Sequence, residues 1–497
     1  MSIYRTIARH TAIYSLALAA GKMASLFLLP VYTRYLSPAD YGAMELMELV
    51  SFLVSALFCS RITDALFYFF AESKTEDGRA KVIGTSFCAA VLLGASGALV
   101  GWIAAEPVSR LVFGSTRFAG YFRIAFLNFA FLFPQDMGFA YLRVLNRSVA
   151  YVVGQLARLV VMTTLCVVMM VHYRMGISAM LWSSVLTSAS MATFMGVLLL
   201  SRNGAHFDVR IGAKMVRYAA PLGLSALGMT ILHSGDRFFL QRIVSLDEVG
   251  IYALAYKFGM LVAYSHLAFL NYWSSQMFEV VRMPNGDRTY VRICTYFVLV
   301  LAASAVVLSV FSVPVIRVMT TPAFQGAIVL VPVIAAAYVI RGLGDYFRSV
   351  FGIHNRPELN TKVTFGAVIA TLIAYAVLIP LFRLWGAALA TLLGFLAMDA
   401  FAFLEAQKVR AYAFEWKRML LIVAAGAVAV GCSLVVRPSS VLMQGVVAVL
   451  STALFPAALW VMGFFDANEK DAIRNLAHRV GFGGRSAVGS ASGSIGA

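Results

Sequence analysis

The residues of this sequence that could do chemistry are ionisable side chains set inside long apolar runs. A charge in the middle of a membrane costs at least ~2.5–3.5 kcal/mol, so such groups usually face a cavity, a ligand or a charged partner. Basic and acidic groups are equal in number here, which favours pairing for many of them. The basic residues are Lys22, Arg61, Arg123, Arg158, Arg237, Lys257 and Arg341, and the acidic residues are Glu45, Glu48, Asp64, Asp136, Asp236, Asp345 and Asp399.

Lys22 and Lys257 are the leading candidates for binding an anion. Lys22 lies near the middle of the first apolar run, and Lys257 lies roughly 14 Å into the eighth at 1.5 Å per residue. Neither has an acidic residue three or four positions away on its own helix. Two ammonium groups that converge on one cleft would suit a phosphate. The structural alternative is pairing across helices with Glu45, Glu48 or Asp399, acids that could equally line a polar cavity.

Arg61 is a weaker candidate for the same anion because it has a local partner. Arg61 and Asp64 are three residues apart, and Arg341 and Asp345 are four apart, so each pair shares a helix face. Both pairs lie near helix ends, where long side chains reach the interface. A structural role is therefore expected for both pairs, with ligand contact by Arg61 as the alternative.

Two acidic residues are candidates for ion coupling. Asp136 follows Pro134, and a proline frees a backbone carbonyl, so a polar break is expected there. Asp399 lies in the middle of the twelfth apolar run and is placed to titrate. His233 and His266 could carry protons, although a single histidine in a membrane helix more often packs in the core.

The sequence carries no motif of an enzyme, a metal site or a cofactor site. It has no His-x-x-x-His helix pair, no phosphate-binding glycine loop and no cluster of Cys and His. The loops between apolar runs are also short, whereas a polymerase or glycosyltransferase would normally carry a sizeable external domain. We therefore expect no catalytic residues and no cofactor.

Composition assigns the chain to the membrane. Of its 497 residues, 61% are hydrophobic and 13% are charged, whereas soluble proteins are about 45–50% apolar and roughly 25% charged. Apolar runs of about 20 residues recur, each long enough to cross a bilayer as a helix. We predict an all-α polytopic membrane protein. The net charge of +17 is expected to set its orientation rather than to bind nucleic acid.

The apolar runs predict fourteen transmembrane helices with both termini in the cytoplasm. Lys and Arg residues are concentrated in alternate loops, roughly three to one, on the side that holds both termini. The predicted helices are residues 11–33, 41–70, 81–104, 119–144, 151–172, 177–201, 215–240, 248–275, 289–313, 325–348, 358–380, 385–407, 417–436 and 440–464.

Repeated short motifs indicate a duplicated fold. Residues 37–42 (SPADYG) contain a capping box, in which a serine and an acid three residues later cap a helix start. Residues 245–250 (SLDEVG) repeat this pattern about 208 residues later. Asn-Arg at 146–147 recurs at 355–356, and Gly176 recurs as Gly386.

This repeat predicts four parts. They are an N-terminal six-helix lobe (1–208), a C-terminal six-helix lobe (209–407), helices 13 and 14 (408–464) and a cytoplasmic tail (465–497) that is first amphipathic and then disordered. Two parallel lobes with a cleft between them are the usual frame for alternating access.

Residues 29–42 (LPVYTRYLSPADYG) resemble the first-loop signature of the bacterial polysaccharide transporter family, the O-antigen and exopolysaccharide flippases. The polar motif after the seventh helix and the six-plus-six-plus-two plan are also similar. This family shares a superfamily with multidrug exporters and lipid II flippases. The resemblance implies a multi-pass protein of the bacterial cytoplasmic membrane.

The resemblance also implies an activity: outward flipping of an undecaprenyl-diphosphate-linked oligosaccharide for surface polysaccharide biosynthesis. Family members bind the pyrophosphate through cavity cations, a role that would fall to Lys22 and Lys257 and less surely to Arg61. Coupling to a proton or sodium gradient is implied, with Asp136 or Asp399 as candidates. Membrane lipids and other polysaccharide-assembly proteins are the implied partners. A multidrug or cation exporter of the same fold and a membrane polysaccharide polymerase remain alternatives.

Overall fold

The structure is a computed structural model that describes residues 28–58, 61–436 and 438–471, and at 224–229 and 231–233 it describes the backbone alone. All regular secondary structure in these ranges is helical. This confirms the predicted all-α class, because a helix satisfies its own backbone hydrogen bonds within lipid.

The described residues form seventeen α-helices, a π-helical turn at Val168–His172 and a 3-10 helix at Pro322–Val329. The α-helices are α1 (Leu29–Tyr35), α2 (Pro38–Leu57), α3 (Ile62–Glu72), α4 (Glu76–Phe113), α5 (Ala119–Leu127), α6 (Phe129–Val144), α7 (Ser148–Val167), α8 (Ile177–Asn203), α9 (Val209–Ser234), α10 (Asp236–Ile243), α11 (Leu246–Gly259), α12 (Val262–Arg282), α13 (Gly286–Met319), α14 (Val331–Ile353), α15 (Glu358–Val409), α16 (Trp416–Val435) and α17 (Val441–Val461).

Within the described ranges, nine helical segments are long and apolar enough to cross a membrane, or ten if the bent pair Pro322–Val329 and Val331–Ile353 is one span. The chain is therefore a multi-pass membrane protein. Every predicted span after the first overlaps described helices. The first lies mostly in residues 1–27, outside the described part, and the count of fourteen stays a prediction.

The polar break predicted at Pro134 is displaced in the structure. Helix α6 runs without interruption through Pro134, and the break falls at Asn128, between α5 and α6. Pro332 lies in the first turn of α14, where a missing N–H costs little. The bend of 42° precedes it, between the 3-10 helix and α14. A proline predicts a perturbed backbone, but packing against neighbouring helices determines where the helix breaks.

Both predicted capping boxes are present. At the start of α2, the Ser37 hydroxyl accepts from the Asp40 N–H at 3.1 Å, and the Asp40 carboxylate accepts from the Ser37 N–H at 3.1 Å. At the start of α11, Ser245 and Glu248 make the same two hydrogen bonds at 3.3 and 3.1 Å. Each box satisfies N–H groups that the first helical turn leaves unpaired.

The two capped helix starts cross at their glycines. A Cβ on Gly42 would lie 2.3 Å from the carbonyl oxygen of Leu246, and one on Gly250 would lie 2.0 Å from that of Pro38. Both distances are below any real Cβ contact, so only glycine permits this approach. The Asp247 carboxylate also accepts a hydrogen bond from the Ala39 N–H at 3.0 Å. The repeated motif is thus a backbone-to-backbone crossing of α2 and α11.

Other matched positions share an unusual backbone conformation. Asn146 and Asn355 have φ values of 56° and 55°, and Arg174 and Arg383 have 52° and 53°. Both pairs are separated by 209 positions, and the left-handed conformation is uncommon for such residues. Arg383 also breaks the long helix α15, between the two spans predicted there. These matches favour a duplicated fold, and the division into lobes stays a prediction.

By its internal contacts the chain separates into two compact units whose bounds differ from the predicted lobes. Unit 1 comprises the described residues up to Lys257, with Val315–Ile334 and Phe365–Ala397. Unit 2 comprises Phe258–Pro314, Ala335–Thr364 and the described residues from Met398 onward.

The core of unit 2 has an apolar side and an aromatic side. Small and branched residues of α13, α16 and α17 form the apolar cluster. In the aromatic part, Trp273 stacks on Tyr346 with centroids 5.2 Å apart, and Tyr346 packs on Tyr290 at 4.8 Å. The hydroxyls of Tyr290 and Tyr346 each donate to the other's backbone carbonyl, at 3.0 and 2.8 Å. These bonds fix α13 against α14.

Candidate functional site

The glycine crossing positions the first charged cluster, which lies in unit 1. From Gly42, α2 continues to Glu45 and Glu48, and from Gly250, α11 continues to Lys257. The Lys257 ammonium donates a hydrogen bond to the hydroxyl of Tyr41 at 3.2 Å. Glu45 and Glu48 are close enough to attract it electrostatically. Lys257 is therefore half-buried among partners on the neighbouring helix.

Arg237, on α10, adds a second cation to this cluster. Its guanidinium lies 3.8 Å from the Glu45 carboxylate and 5.0 Å from the ring centroid of Tyr256. The adjacent Asp236 is fully buried and accepts hydrogen bonds from the Tyr252 hydroxyl and the Arg237 N–H. In this cluster Glu45 therefore pairs with Arg237, whereas the Lys257 ammonium is hydrogen-bonded to Tyr41.

The other unit 1 candidates lie apart from this cluster or outside the described residues. Lys22 and the side chain of His233 are outside the described residues. Arg61 precedes α3, is half-exposed and pairs with Asp64 at 3.5 Å, the structural role expected for it. Asp136 is half-buried on α6 and accepts a weak hydrogen bond from the Gln135 amide at 3.3 Å.

The second charged cluster lies in unit 2 and centres on Asp345 of α14. The His266 Nε2 lies 3.0 Å and the Arg341 Nε 3.8 Å from its carboxylate, and Arg348 forms an ion pair with the same group. The predicted pair of Arg341 and Asp345 is therefore present, and His266 and Arg348 contact the same carboxylate. Arg348 lies on the same helix, one turn after Asp345.

Asp399, on α15, adjoins this cluster without a hydrogen bond to it. Its side chain is 6% exposed, and neither carboxylate oxygen has a hydrogen-bond partner in the described residues. It packs on α14 so closely that a Cβ on Gly344 would lie 1.8 Å from its Oδ1. Asp345, Arg341 and Arg348 are its nearest charges. A buried carboxylate without donors is costly when ionised.

An open cavity of about 350 Å³ adjoins the Asp345 cluster in unit 2. Side chains of α12 and α14 form two of its walls, and Asn360 of α15 lies at its edge. Its polar lining is contributed by Ser274, Asp345, Arg348, Ser349 and Asn360. The indole N–H of Trp273 donates to the Ser349 hydroxyl at 3.2 Å, which fixes the wall.

Sequence reasoning named Arg237 and His266 but not their partners, and it missed Tyr41 and Arg348 as members of the two clusters. Tyr41, Arg237 and His266 each reach their partner across helices, and such contacts depend on packing that one sequence does not reveal. Arg348 lies three residues after Asp345 on the same helix, a spacing that the sequence does show.

Solved structures of membrane transporters are similar to this chain in fold. An inward-closed lipid II flippase, MurJ, aligns with a TM-score of 0.71 at 12% identity, over 91% of this chain and all of the other. An inward-facing multidrug resistance transporter of the MATE family aligns with a TM-score of 0.65 at 15% identity, over 78% and 95%. At these identities the likeness concerns the fold.

Sequence comparison supplies the family. A family model described as polysaccharide biosynthesis protein matches residues 7–270. The chain belongs to this family, as its first-loop signature predicted. A search of curated protein sequences finds no match.

Proposed function

We propose that the chain flips an undecaprenyl-diphosphate-linked oligosaccharide outward across the bacterial cytoplasmic membrane for surface polysaccharide biosynthesis. The observation that carries the proposal is the crossing of α2 and α11, formed by the motif that resembles the flippase signature. The same helices bring the Lys257 ammonium to the Tyr41 hydroxyl, within electrostatic reach of Glu45, in membrane-spanning segments. Both termini would lie in the cytoplasm, and no catalytic step is required.

The anion site we propose comprises Lys257 and Arg237, with Lys22 as a third cation. Lys257 contacts Tyr41 and Arg237 contacts Glu45, and a pyrophosphate could replace these contacts as the ligand of both cations. When no pyrophosphate is bound, the acidic residues of the cluster would remain the partners of these cations. Arg61, half-exposed and paired with Asp64, is the weaker member.

For coupling we propose Asp399 rather than Asp136. Asp399 has two shielded oxygens without donors, whereas Asp136 has an amide donor and two arginines, Arg143 and Arg158, within electrostatic reach. A proton on Asp399 would remove the cost of its burial. The charged groups that face Asp399 are Asp345, Arg341 and Arg348.

A multidrug or cation exporter is the second candidate, and one observation favours it. Within the unit 1 cluster the acids Glu45, Glu48 and Asp236 outnumber the two described cations. A cavity with excess acid would suit a cationic drug. The family match and the flippase-like first loop favour a lipid-linked glycan instead.

The experiment is complementation of a deletion strain with Lys22→Ala, Lys257→Ala and Arg237→Ala, alone and combined. The readouts are surface polysaccharide and lipid-linked oligosaccharide on the inner leaflet. We expect the deletion and the combined variant to lose polymer and accumulate the intermediate inside. Lys362→Ala is the matched control, because this exposed lysine pairs with Glu405 at a helix end.

Each outcome separates the hypotheses. A deletion that keeps its polysaccharide but becomes sensitive to cationic drugs would replace the flippase by the exporter. A deletion phenotype that the combined variant fully rescues would leave the function and remove the anion site. Membrane insertion of every variant is checked by immunoblotting, so that loss of protein is not taken for loss of activity.

A further inference from the structure

Helix α12 carries an exposed polar face in the last turn of its predicted membrane span, 248–275. Asn271, Tyr272, Ser274 and Ser275 are all exposed, and Tyr272 is 66% exposed. They lie within the segment Leu246–Arg282, the least apolar of the nine spans in the described part of the chain. Polar groups in membrane helices normally face protein or water, because lipid offers them no hydrogen bonds.

The exposed face is polar but almost uncharged, which limits its ligand. The hydroxyls of Ser274 and Ser275 donate to their own helix backbone at 3.0 and 2.7 Å. Their oxygens therefore remain as acceptors, while the amide of Asn271 offers both a donor and an acceptor. Nothing on this arc between Leu267 and Phe278 carries a charge. A neutral ligand rich in hydroxyl groups suits such a surface better than a phosphate.

The cavity of unit 2 opens beside this face and extends it. Ser274 belongs to both, and the opposite wall adds Ser349 and the amide of Asn360. The only basic side chain in the lining, Arg348, is already paired with Asp345. The cavity of about 350 Å³ falls within the size range of small-ligand sites. Trp273 lines the cavity and stacks on Tyr346.

The exposed face of another membrane helix shows the contrast. On α8, Ser190 and Thr193 also donate to their own backbone at 2.8 Å, but their exposed neighbours are Leu186, Phe194 and Val197. Such an arc is suited to lipid. On α12 the exposed Leu267 and Phe278 flank a stretch in which Asn271, Tyr272, Ser274 and Ser275 are exposed, so this part of the face is more polar than that of α8.

We propose that Asn271, Ser274 and Ser275, with Asn360 of the adjoining cavity, form a subsite for the sugar of the transported lipid. This inference rests on the proposed flippase function and deepens it. It assigns the glycan to residues of unit 2. In the predicted orientation α12 leads to the cytoplasmic side, where a lipid-linked oligosaccharide is loaded.

The test is a binding cycle on the purified full-length chain in lipid nanodiscs. The two probes are the undecaprenyl-diphosphate-linked oligosaccharide extracted from the deletion strain, and undecaprenyl diphosphate without sugar. The variant is Asn271→Leu with Ser274→Ala and Ser275→Ala, and the control is Ser190→Ala with Thr193→Val. The ratio of the two dissociation constants reports the sugar contribution alone.

We expect wild type and control to bind the glycosylated lipid at least tenfold more tightly than the bare lipid. The variant should reduce this ratio to within about twofold while its affinity for the bare lipid is unchanged, which also shows that it is folded. A ratio that the variant leaves at the wild-type value overturns the subsite, and so does a wild type without preference for the sugar. If wild type binds neither probe, the subsite and the flippase proposal fail together.

Discussion

At the scale of single residues, the glycines of the α2 and α11 crossing have no room for a side chain. We expect Gly42→Ala to lower the free energy of unfolding by about 1–3 kcal/mol, because the new methyl group would overlap the Leu246 carbonyl. The measurement is thermal unfolding in detergent. Gly120→Ala is the control, since a Cβ there meets nothing within 4 Å. Equal effects of the two substitutions would contradict the crossing.

Two neighbouring carboxylates should respond in opposite directions to the same isosteric change. Asp345→Asn should destabilise unit 2 by about 3–5 kcal/mol, because it leaves His266, Arg341 and Arg348 without their shared anion. Asp399→Asn removes a buried carboxylate that has no donors, so the free energy of unfolding should stay level or rise.

This pair of variants also tests coupling. Because Asp399→Asn cannot exchange a proton, flipping should lose its dependence on the pH gradient while the fold is retained. Proteoliposome transport at matched protein levels measures this. A stable Asp399→Asn variant that still responds to the gradient would remove Asp399 from coupling, and a neutral Asp345→Asn would contradict the described cluster.

The candidate site could be predicted from the sequence only as a set of residues. Lys257 was identified because a lysine without a local acid is conspicuous in an apolar run. Its partner Tyr41 lies 216 positions earlier, and tyrosines are too common in this chain to single one out. Arg61 and Asp64 were paired correctly because their contact needs only helix geometry, three residues apart.

At the scale of elements, a clasp joins the start of the tail to two membrane helices. We define it as Asp466 and Glu469 of the tail with Arg292 and Tyr296 of α13 and Arg418 of α16. Glu469 lies 2.6 Å from Arg292 and 2.7 Å from Arg418, and the Tyr296 hydroxyl donates to it. The Asp466 N–H donates to Glu469 at 2.9 Å, so this acid also caps the helical residues 467–471.

The clasp should be stable to acid. Partial burial favours the neutral carboxyl group, but hydrogen bonds from Tyr296, the Asp466 N–H and Arg292 outweigh it and lower the pKa of Glu469 to about 2. The folded pKa lies below the ordinary value of 4.5. The stabilisation is therefore fully present above about pH 4.5 and is lost as the pH falls through 2.

Glu469→Gln should accordingly lower the free energy of unfolding by about 1–2 kcal/mol at pH 7, after allowance for solvent screening. The difference from wild type should vanish as the pH is lowered from 4.5 towards 2. Unfolding transitions measured across this range provide the check. The exposed Glu358→Gln serves as control, because its ion pair with Arg356 is loose at 3.6 Å and exposed on both sides. A constant difference down to pH 2 would show that Glu469 acts by packing alone.

Elements were predicted better than their interruptions. Apolar runs locate spans because transfer into lipid depends on composition over about 20 residues. The breaks at Asn128, Gly235 and between Gly259 and Val262 leave almost no trace in composition. They depend on neighbouring helices, and a single sequence does not encode those neighbours locally. The capping boxes were predictable because all their groups lie within four residues.

At the scale of the whole molecule, the α2 and α11 crossing bears on transport itself. The two capped helices belong to different predicted lobes, and alternating access requires the lobes to separate at each end in turn. In the predicted orientation the crossing lies at the external end. The contact of the Ala39 N–H with the Asp247 carboxylate, at 3.0 Å, holds the helix starts together. If the lobes move as proposed, this contact must break in every cycle.

A covalent link across the crossing should therefore stop transport reversibly. We expect Ala39→Cys combined with Asp247→Cys to form a disulfide under mild oxidation, because the Ala39 N–H and the Asp247 carboxylate are 3.0 Å apart. Flipping in proteoliposomes should fall at least tenfold after oxidation and recover with a reductant. Each single-cysteine variant is a control, since among the described native cysteines only Cys432 is exposed. Full transport by the oxidised double variant would mean that the crossing is a fixed pivot and that the external end opens elsewhere.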